Sequence, residues 1–259
     1  NPLVSGRGFQ KLRDAGVEVV TGLLADEAKR QNEKFICWHQ KQRPFIHLKL
    51  AMSLDGRISL GPSVSTTLSG GDARQRVHEL RHEHDAILVG GNTAAVDDPS
   101  LTDRSGLERR RPLVRVVLDN SLQISETSNL VATARDVPTL VFTNSRDEAK
   151  IERLRSAGVE IIKLEIGGRD LRSVLQELRE RDVQSVLVEG GSEIAGAFVD
   201  ARLVDKVTFI YSPIILGGRI APNAIGGSGA ESLTSALKLT DITIRQLGED
   251  LELTGYPNF

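Results

Sequence analysis

Cysteine, methionine and tryptophan each occur once in 259 residues, and aromatic side chains make up only 4%. The lone Cys37 excludes a disulfide framework and any multi-cysteine zinc site, and it fits a reducing cytoplasm. No apolar run approaches the ~20 residues that a membrane-spanning helix needs. No charged-then-apolar leader opens the chain, so neither a membrane partner nor a secretory route is expected. Neither sign of charge dominates: 33 Lys+Arg stand against 35 Asp+Glu, a formal net charge of -2. Without a global basic field no nucleic-acid partner is expected, and any site for a polyanion must be local.

What is present is an ordinary globular composition, 39% hydrophobic and 26% charged, in a chain long enough to bury a real core. Residue 1 is Asn rather than Met, and residues 1–43 read as the tail of a preceding domain plus a linker. Within them, residues 8–16 predict a helix with Phe9, Leu12 and Ala15 on one face, stopped at Gly16. Val17–Val20 predicts a short strand, and Ala25–Trp38 one charged helix. From Pro44 a new unit begins, spanning 44–259. Phe45–Met52 alternates, with Ile46, Leu48 and Leu50 on one strand face and Lys49 on a wet or ligand-facing edge. A basic helix is expected from Asp72 to about His84, and buried strands at Ala86–Val89, Leu113–Leu118, Thr139–Phe142, Val159–Ile162, Ser185–Val188 and Lys206–Tyr211. Two antiparallel strands, Ala236–Ile244 and Glu249–Leu253, close the chain. Strands alternating with helices predict an α/β fold: a mostly parallel sheet flanked by helices, with an antiparallel C-terminal edge.

Three segments compete for the chemistry. Val186–Ser192 is an apolar strand ending in Glu189, then Gly190-Gly191, then a helix start. In open α/β sheets ligands sit beyond the carboxyl ends of the strands, and a glycine turn lets a phosphate approach the helix-start amides. A carboxylate closing an apolar strand also needs a partner, and a polar substrate supplies one. Ile87–Thr93, followed by Asp97 and Asp98, repeats that layout, and two such turns side by side can hold the two ends of a dinucleotide. The third segment, Lys49–Arg57, carries Lys49 and Asp55 near a strand end. Arg74, Arg76 and Arg81 on the basic helix and Arg104 offer guanidinium groups that bind phosphate in a bidentate way. The Arg109–Arg111 run reads as a solvated loop. His78 and His82 match the two-histidine spacing of a zinc helix, but their surroundings are charged, so a solvated face is expected and no metal. No Gly-x-Ser-x-Gly elbow, Walker loop or paired-carboxylate pattern occurs. The residues alone therefore predict a phosphate-bearing small-molecule site with a nucleotide cofactor.

Lys49–Gly56, read with Ser65, Gly90–Thr93, Asp97–Thr102 and Val188–Gly191, closely resembles the reductase domain of the bifunctional riboflavin-biosynthesis deaminase/reductases, the RibD/RibG family. The motifs K-x-A-x-S-L-D-G-[KR], G-x-x-T-x-x-x-D-[ND]-P-x-L-T and V-E-G-G occur in order over residues 44 to about 255. The opening Asn1–Gly8 resembles the last segment of that family's deaminase domain, whose zinc motifs are absent here. The resemblance implies a dihydrofolate-reductase-like fold, a homodimer, and NADPH-dependent reduction of the ribosyl group of 5-amino-6-(5-phosphoribosylamino)uracil to ribityl. It implies cofactor contacts at Ala51, Thr67, Thr93, Asp97, Asn120, Gly191, Ser192, Glu193, Ile194, Ala195, Gly196 and Ala197. Substrate contacts are implied at Ser65, Arg81, Leu101, Arg104 and Glu189. Relatives commonly carry Trp where this sequence has Thr67. Hydride delivery to the ribose C1′ after ring opening needs a proton source, for which Lys49, Asp55 and Glu189 are the candidates. Alternatives on the same fold are a reductase of another pterin-like heterocycle and a non-catalytic nucleotide-binding domain.

Overall fold

The computed structural model describes Val4 and residues 6–258; Asn1–Leu3 and Ser5, part of the deaminase-like opening, lie outside the described residues. Among the described residues, nine strands form one sheet in the order β5-β4-β3-β2-β6-β1-β7-β9-β8. They are β1 (Phe45–Ser53), β2 (Ala86–Gly90), β3 (Val114–Leu118), β4 (Thr139–Thr143), β5 (Glu160–Lys163), β6 (Ser185–Val188), β7 (Lys206–Ser212), β8 (Lys238–Leu247) and β9 (Asp250–Asn258). From β5 through β7 every pairing is parallel; β7, β9 and β8 pair antiparallel. The expected α/β architecture with an antiparallel edge is observed.

The continuous apolar runs β2, β4 and β6 are buried along their whole length because helices cover both sheet faces. On one face Leu48, Leu88, Phe142 and Val188 pack against α8 (Leu171–Glu180) and α9 (Ser192–Asp200), through Val174, Leu178 and Phe198. On the other, Ile87, Val117 and Val141 meet α6 (Asn129–Ala132) and α7 (Glu148–Ser156), through Leu130, Val131, Ile151 and Leu154. Helix α4 (Gly71–His82) buries Ala73, Val77 and Leu80 and packs near Ile210 and Leu247. The short α5 (Gly91–Asp97) starts directly from the end of β2.

Of three expectations for residues 1–43, the helix holds and the other two are corrected. The predicted helix forms as α1 (Arg7–Asp14), but it buries nothing, and Phe9 and Leu12 stay about half exposed at 49% and 47%. Val17–Val20 is not a strand, since no sheet edge lies alongside to pair its backbone. The single charged helix is two, α2 (Ala25–Gln31) and α3 (Glu33–Gln40), because Asn32 leaves helical geometry and turns its side-chain amide back onto the Ala28 carbonyl. Helix α3 docks on the sheet. Glu33 meets Lys206 at 3.0 Å and the Tyr256 hydroxyl at 2.8 Å, while the Arg179 guanidinium lies 4.3 Å over the Trp38 ring. Just beyond, Arg43 forks onto Asp205 at 2.5 and 2.9 Å. The packing is therefore continuous across the expected boundary at residue 44.

Candidate active site

Strand β1 sits between β6 and β7, and β6 between β1 and β2, so the chain reverses its direction of sheet growth here. At such a switch point the loops leaving neighbouring strand ends diverge and open a crevice. A cleft of about 930 Å³ lies there, lined by the ends of β1, β2 and β6, the inner face of α4, and the loops around residues 57–69 and 219–226.

Its floor is a charged trio. Glu189 follows β6 and donates its backbone N–H to the Leu88 carbonyl at 2.9 Å, which fixes the carboxylate at the sheet rim. Arg81 reaches down from α4 and donates Nε to Glu189 Oε1 at 2.8 Å and Nη2 to Oε2 at 3.0 Å. Lys49 Nζ stands 3.8 Å from Oε2 on the other side, and the Lys49 and Glu189 side chains are each only 10% exposed. Burial raises the Glu189 carboxyl, but Arg81 and then Lys49 outweigh it and hold the group below its ordinary value. Burial dominates at Lys49, with Arg81 adding to it, and keeps the ammonium a readier proton donor than a solvated lysine, against the pull of Glu189. Of the wet or ligand-facing edge expected for β1, Lys49 takes a place in the cleft lining and not in open solvent. Lys49 is buried with a carboxylate beside it, and its neighbour His47 is buried against the Thr208 hydroxyl at 2.8 Å.

Beside the trio, α9 begins at Gly191 with no side-chain cap, leaving first-turn amides without an intrahelical partner. A side chain at Gly190 would meet Ile194 at 2.6 Å, so the turn must be glycine to lie this close. Thr93 Oγ1 lies 3.6 Å from where a Gly191 Cβ would sit, which joins the β2 and β6 corners. Uncapped amides, threonine hydroxyls and the surrounding cations form a donor set that fits a phosphate-bearing cofactor.

A family model for the RibD C-terminal domain matches residues 44–253. The chain belongs to that family. It is 38% identical to the riboflavin biosynthesis protein RibD of Actinobacillus pleuropneumoniae over 255 residues, covering 98% of this chain and 67% of the relative. It is also 38% identical to RibD of Bacillus amyloliquefaciens over 258 residues, covering 99% and 69%. Among solved structures, a deaminase/reductase of Thermotoga maritima superposes with a TM-score of 0.82 at 32% identity, covering all of this chain and 69% of that one. Form 1 of Acinetobacter baumannii RibD gives a TM-score of 0.83 at 28% identity, covering 100% and 70%.

Of the residues singled out from sequence, Lys49, Ala51, Thr67, Arg81, Thr93, Asp97, Glu189, Gly191, Ser192, Glu193 and Ile194 all line the cleft. Others do not. Ser65 is exposed between the cleft residues Val64 and Thr66. Leu101 is buried in the core beside Ile87 and Val89, at φ 47°, so only its backbone is left to meet a ligand. Arg104 stands outside the lining, with Nε donated to Thr102 Oγ1 at 3.1 Å. Ala195 and Gly196 are buried within α9, and Ala197 packs against the core. Asn120 is occupied elsewhere: its Oδ1 accepts the Gly168 N–H at 2.7 Å and secures the turn at Gly167–Arg169. Asp55 accepts from Ser53 Oγ at 2.6 Å and from the Leu216 and Gly217 amides at 3.0 and 2.7 Å. The Ser53 hydrogen bond, helped by those amides, brings its carboxyl down to about 2. That carboxylate ties the exit of β1 to the loop following β7, and it does not face the trio.

The cleft also holds residues that the sequence reading placed on a solvated face or did not single out. His78 lines it one turn of α4 from both Arg74 and Arg81, a 74–78–81 spacing that places all three on one helix face. Arg76, grouped with them by sequence, points away and is consumed by Glu252, Glu79 and Glu83. Arg219 and Ile220 form the opposite lip, on a loop with no periodic signal to reveal it.

Proposed function

We propose that this chain, a riboflavin-biosynthesis reductase by family, reduces the ribosyl group of 5-amino-6-(5-phosphoribosylamino)uracil to ribityl at the expense of NADPH. The carrying observation is the buried Lys49–Glu189–Arg81 trio beside a glycine corner at the head of α9. When bound, the nicotinamide ring supplies the hydride. Ala51, Thr67, Thr93, Asp97 and the start of α9 would hold the cofactor, and the family resemblance favours NADPH over NADH. Reduction at the ribose C1′ also requires a proton at an oxygen or nitrogen of the opening ring. Lys49, whose burial eases loss of its proton, is suited to supply it, and Glu189 to orient a ribose hydroxyl and keep the lysine charged beforehand. Arg81 keeps Glu189 ionised, so that the carboxylate accepts rather than donates. The cations on the α4 face favour a substrate carrying a phosphate, which a pterin lacks.

Residues 44–259 are assigned to the reductase unit and 1–43 to the tail of a deaminase domain. We assign the chain to the cytoplasm; among the described residues no helix is long and apolar enough to cross a membrane. The free edge of β8, with Ile242 and Ile244 exposed at 53% and 69%, suits pairing with a second copy. Light scattering should give a dimer for the parent and a monomer for Ile244→Lys. The functional test is NADPH oxidation with the phosphoribosylaminopyrimidine as substrate. Turnover with it, and none with a pterin or with the dephosphorylated analogue, supports the assignment. Turnover with the pterin alone overturns it.

A further inference from the structure

The two histidines at zinc-helix spacing and the Arg109–Arg111 run have a different use from the one their sequence context suggests. His78, Arg81 and His82 occupy one face of α4, and each grips the arm of residues 102–104 that crosses it. His78 Nδ1 accepts the Arg104 N–H at 3.3 Å, and Arg81 Nη1 donates to the Thr102 carbonyl at 3.1 Å. His82 Nδ1 donates to Asp103 Oδ2 at 2.9 Å. Arg109 closes the clasp from behind, with Nη1 on Asp103 Oδ2 at 3.1 Å. The same guanidinium takes the Arg81, His82 and His84 carbonyls at 2.9, 3.1 and 2.7 Å, which satisfies the open end of α4. Asp103 is thus the one carboxylate joining arm, helix and the Arg109 loop. Its side chain is 6% exposed, and its second oxygen accepts the Ser105 N–H at 2.9 Å.

The arm carries Leu101 at its start, in the left-handed region, and Arg104 at its end, with the two terminal guanidinium nitrogens of Arg104 donating to no partner among the described residues. On the inner side, Arg115 is fully buried and holds the Ser100 carbonyl at 3.3 Å. Anchored at Ser100 and clasped at Asp103, the arm has little freedom left between them. We propose that Asp103 is a positioning residue for phosphosugar recognition, clasping the 101–104 arm to α4 so that the free end of Arg104 and the Leu101 backbone present themselves to the substrate beside Arg81. This rests on the reading of Leu101 and Arg104 as substrate contacts. Asp103 lies outside the cleft lining; it acts through His82 and Arg109 on where Arg104 stands. An arm freed by a few tenths of an ångström would still fold, but it would spend binding energy on ordering itself.

The test is steady-state kinetics on the whole chain with Asp103→Asn, Arg109→Gln, their double variant and Arg104→Ala, alongside thermal unfolding and NADPH titration. Asp103→Asn keeps the shape and removes the charge. It should raise the substrate KM about tenfold while kcat and the NADPH Kd stay within about twofold. The double variant should be no worse than the more affected single, because both substitutions open one clasp. If Asp103→Asn does not fold, His82→Gln removes one cross-link and carries the same expectation. A raised KM in Arg104→Ala with an unchanged KM in a folded Asp103→Asn overturns the positioning role. An unchanged KM in Arg104→Ala overturns the substrate reading, and the positioning role with it. A parallel fall of kcat, NADPH affinity and Tm in Asp103→Asn assigns Asp103 to stability alone, which also overturns the proposal.

Discussion

Exchanging Glu189 for Gln leaves the side chain's shape in place and takes one negative charge from between two cations. Lys49 Nζ is 3.8 Å from that charge. At an effective dielectric of ~20 this separation corresponds to roughly 4 kcal/mol of attraction that favours the ammonium. Burial and Arg81 already lower Lys49, so losing Glu189 should lower it further and favour the neutral amine. A neutral lysine has no proton to give, and loss of general-acid assistance costs about 10²–10⁴ in kcat. The alkaline limb of the kcat profile, read from NADPH oxidation, should therefore move to lower pH by more than about one unit, and lowering the pH should recover part of the rate. The NADPH Kd, measured by fluorescence titration, should hold within about threefold, because the uncapped start of α9 is untouched. Stability falls as well. Arg81 keeps the Thr102 carbonyl and one amide oxygen at position 189 but loses its counter-charge, and a buried charge without one costs about 3 kcal/mol, or about 6–12 °C in Tm for a domain this size. A folded Glu189→Gln enzyme with parental kcat and an unmoved alkaline limb would refute the assignment of Lys49 as donor and Glu189 as its support.

Three further outcomes can be checked directly. Gly196→Ala puts a methyl 2.3 Å from the Gly226 backbone, so α9 and the 226–227 loop must part; Tm should drop by several degrees and NADPH affinity should weaken with it. Asp55→Ala frees the Leu216 and Gly217 amides, and hydrogen exchange there should speed up while kcat falls without vanishing. With the Asp55 carboxyl at about 2 in the fold, its contribution is complete above the unfolded value near 4 and is lost as pH falls toward 2. The buried His47–His84 pair gives the opposite kind of dependence. Their rings lie 5.1 Å apart among Lys34, Lys206, Arg76 and Arg109, with Glu33, Glu83 and Glu252 paired to those cations. Burial first, and then the neighbouring cations, push both well below the ordinary histidine range. The unfolded chain takes up protons below about pH 6.5 that the fold refuses, so stability should be flat above that pH and fall below it, by up to about 2.7 kcal/mol per pH unit. Urea unfolding at pH 7.5 and 5.5 measures the difference, and equal midpoints would remove the pair from the account.

The strands were the most legible part of the chain. Ala86–Val89, Thr139–Phe142 and Ser185–Val188 are uninterrupted apolar runs, and a run buried on both faces needs no partner to announce itself. The alternation located β1, but it could not say what would meet its second face: His47 is buried against Thr208, and Lys49 stands beside Glu189 in the cleft lining. Arg115 shows the same limit. It is a charged residue in a central strand, fully buried, with neutral acceptors on Thr139, Thr133, Leu130, Val137 and Ser100, which no local pattern anticipates. In the site, Glu189 and the glycine corners were readable because a strand end is a local event. The protein partners of Asp55 and Asn120, at Leu216, Gly217 and Gly168, were not readable because they lie far along the chain.

Sequence alone determined the fold class, since hydrophobic periodicity and glycine turns are written residue by residue, and its motifs carried the resemblance to the family. Tertiary structure decided which charges meet: Arg81 rather than Arg76 for Glu189, Asp103 for His82 and Arg109, Asp205 for Arg43. Charge pairing falls off within a few ångströms and is indifferent to separation along the chain, so only the folded packing of α4, the 102–104 arm and the strand ends could assign it.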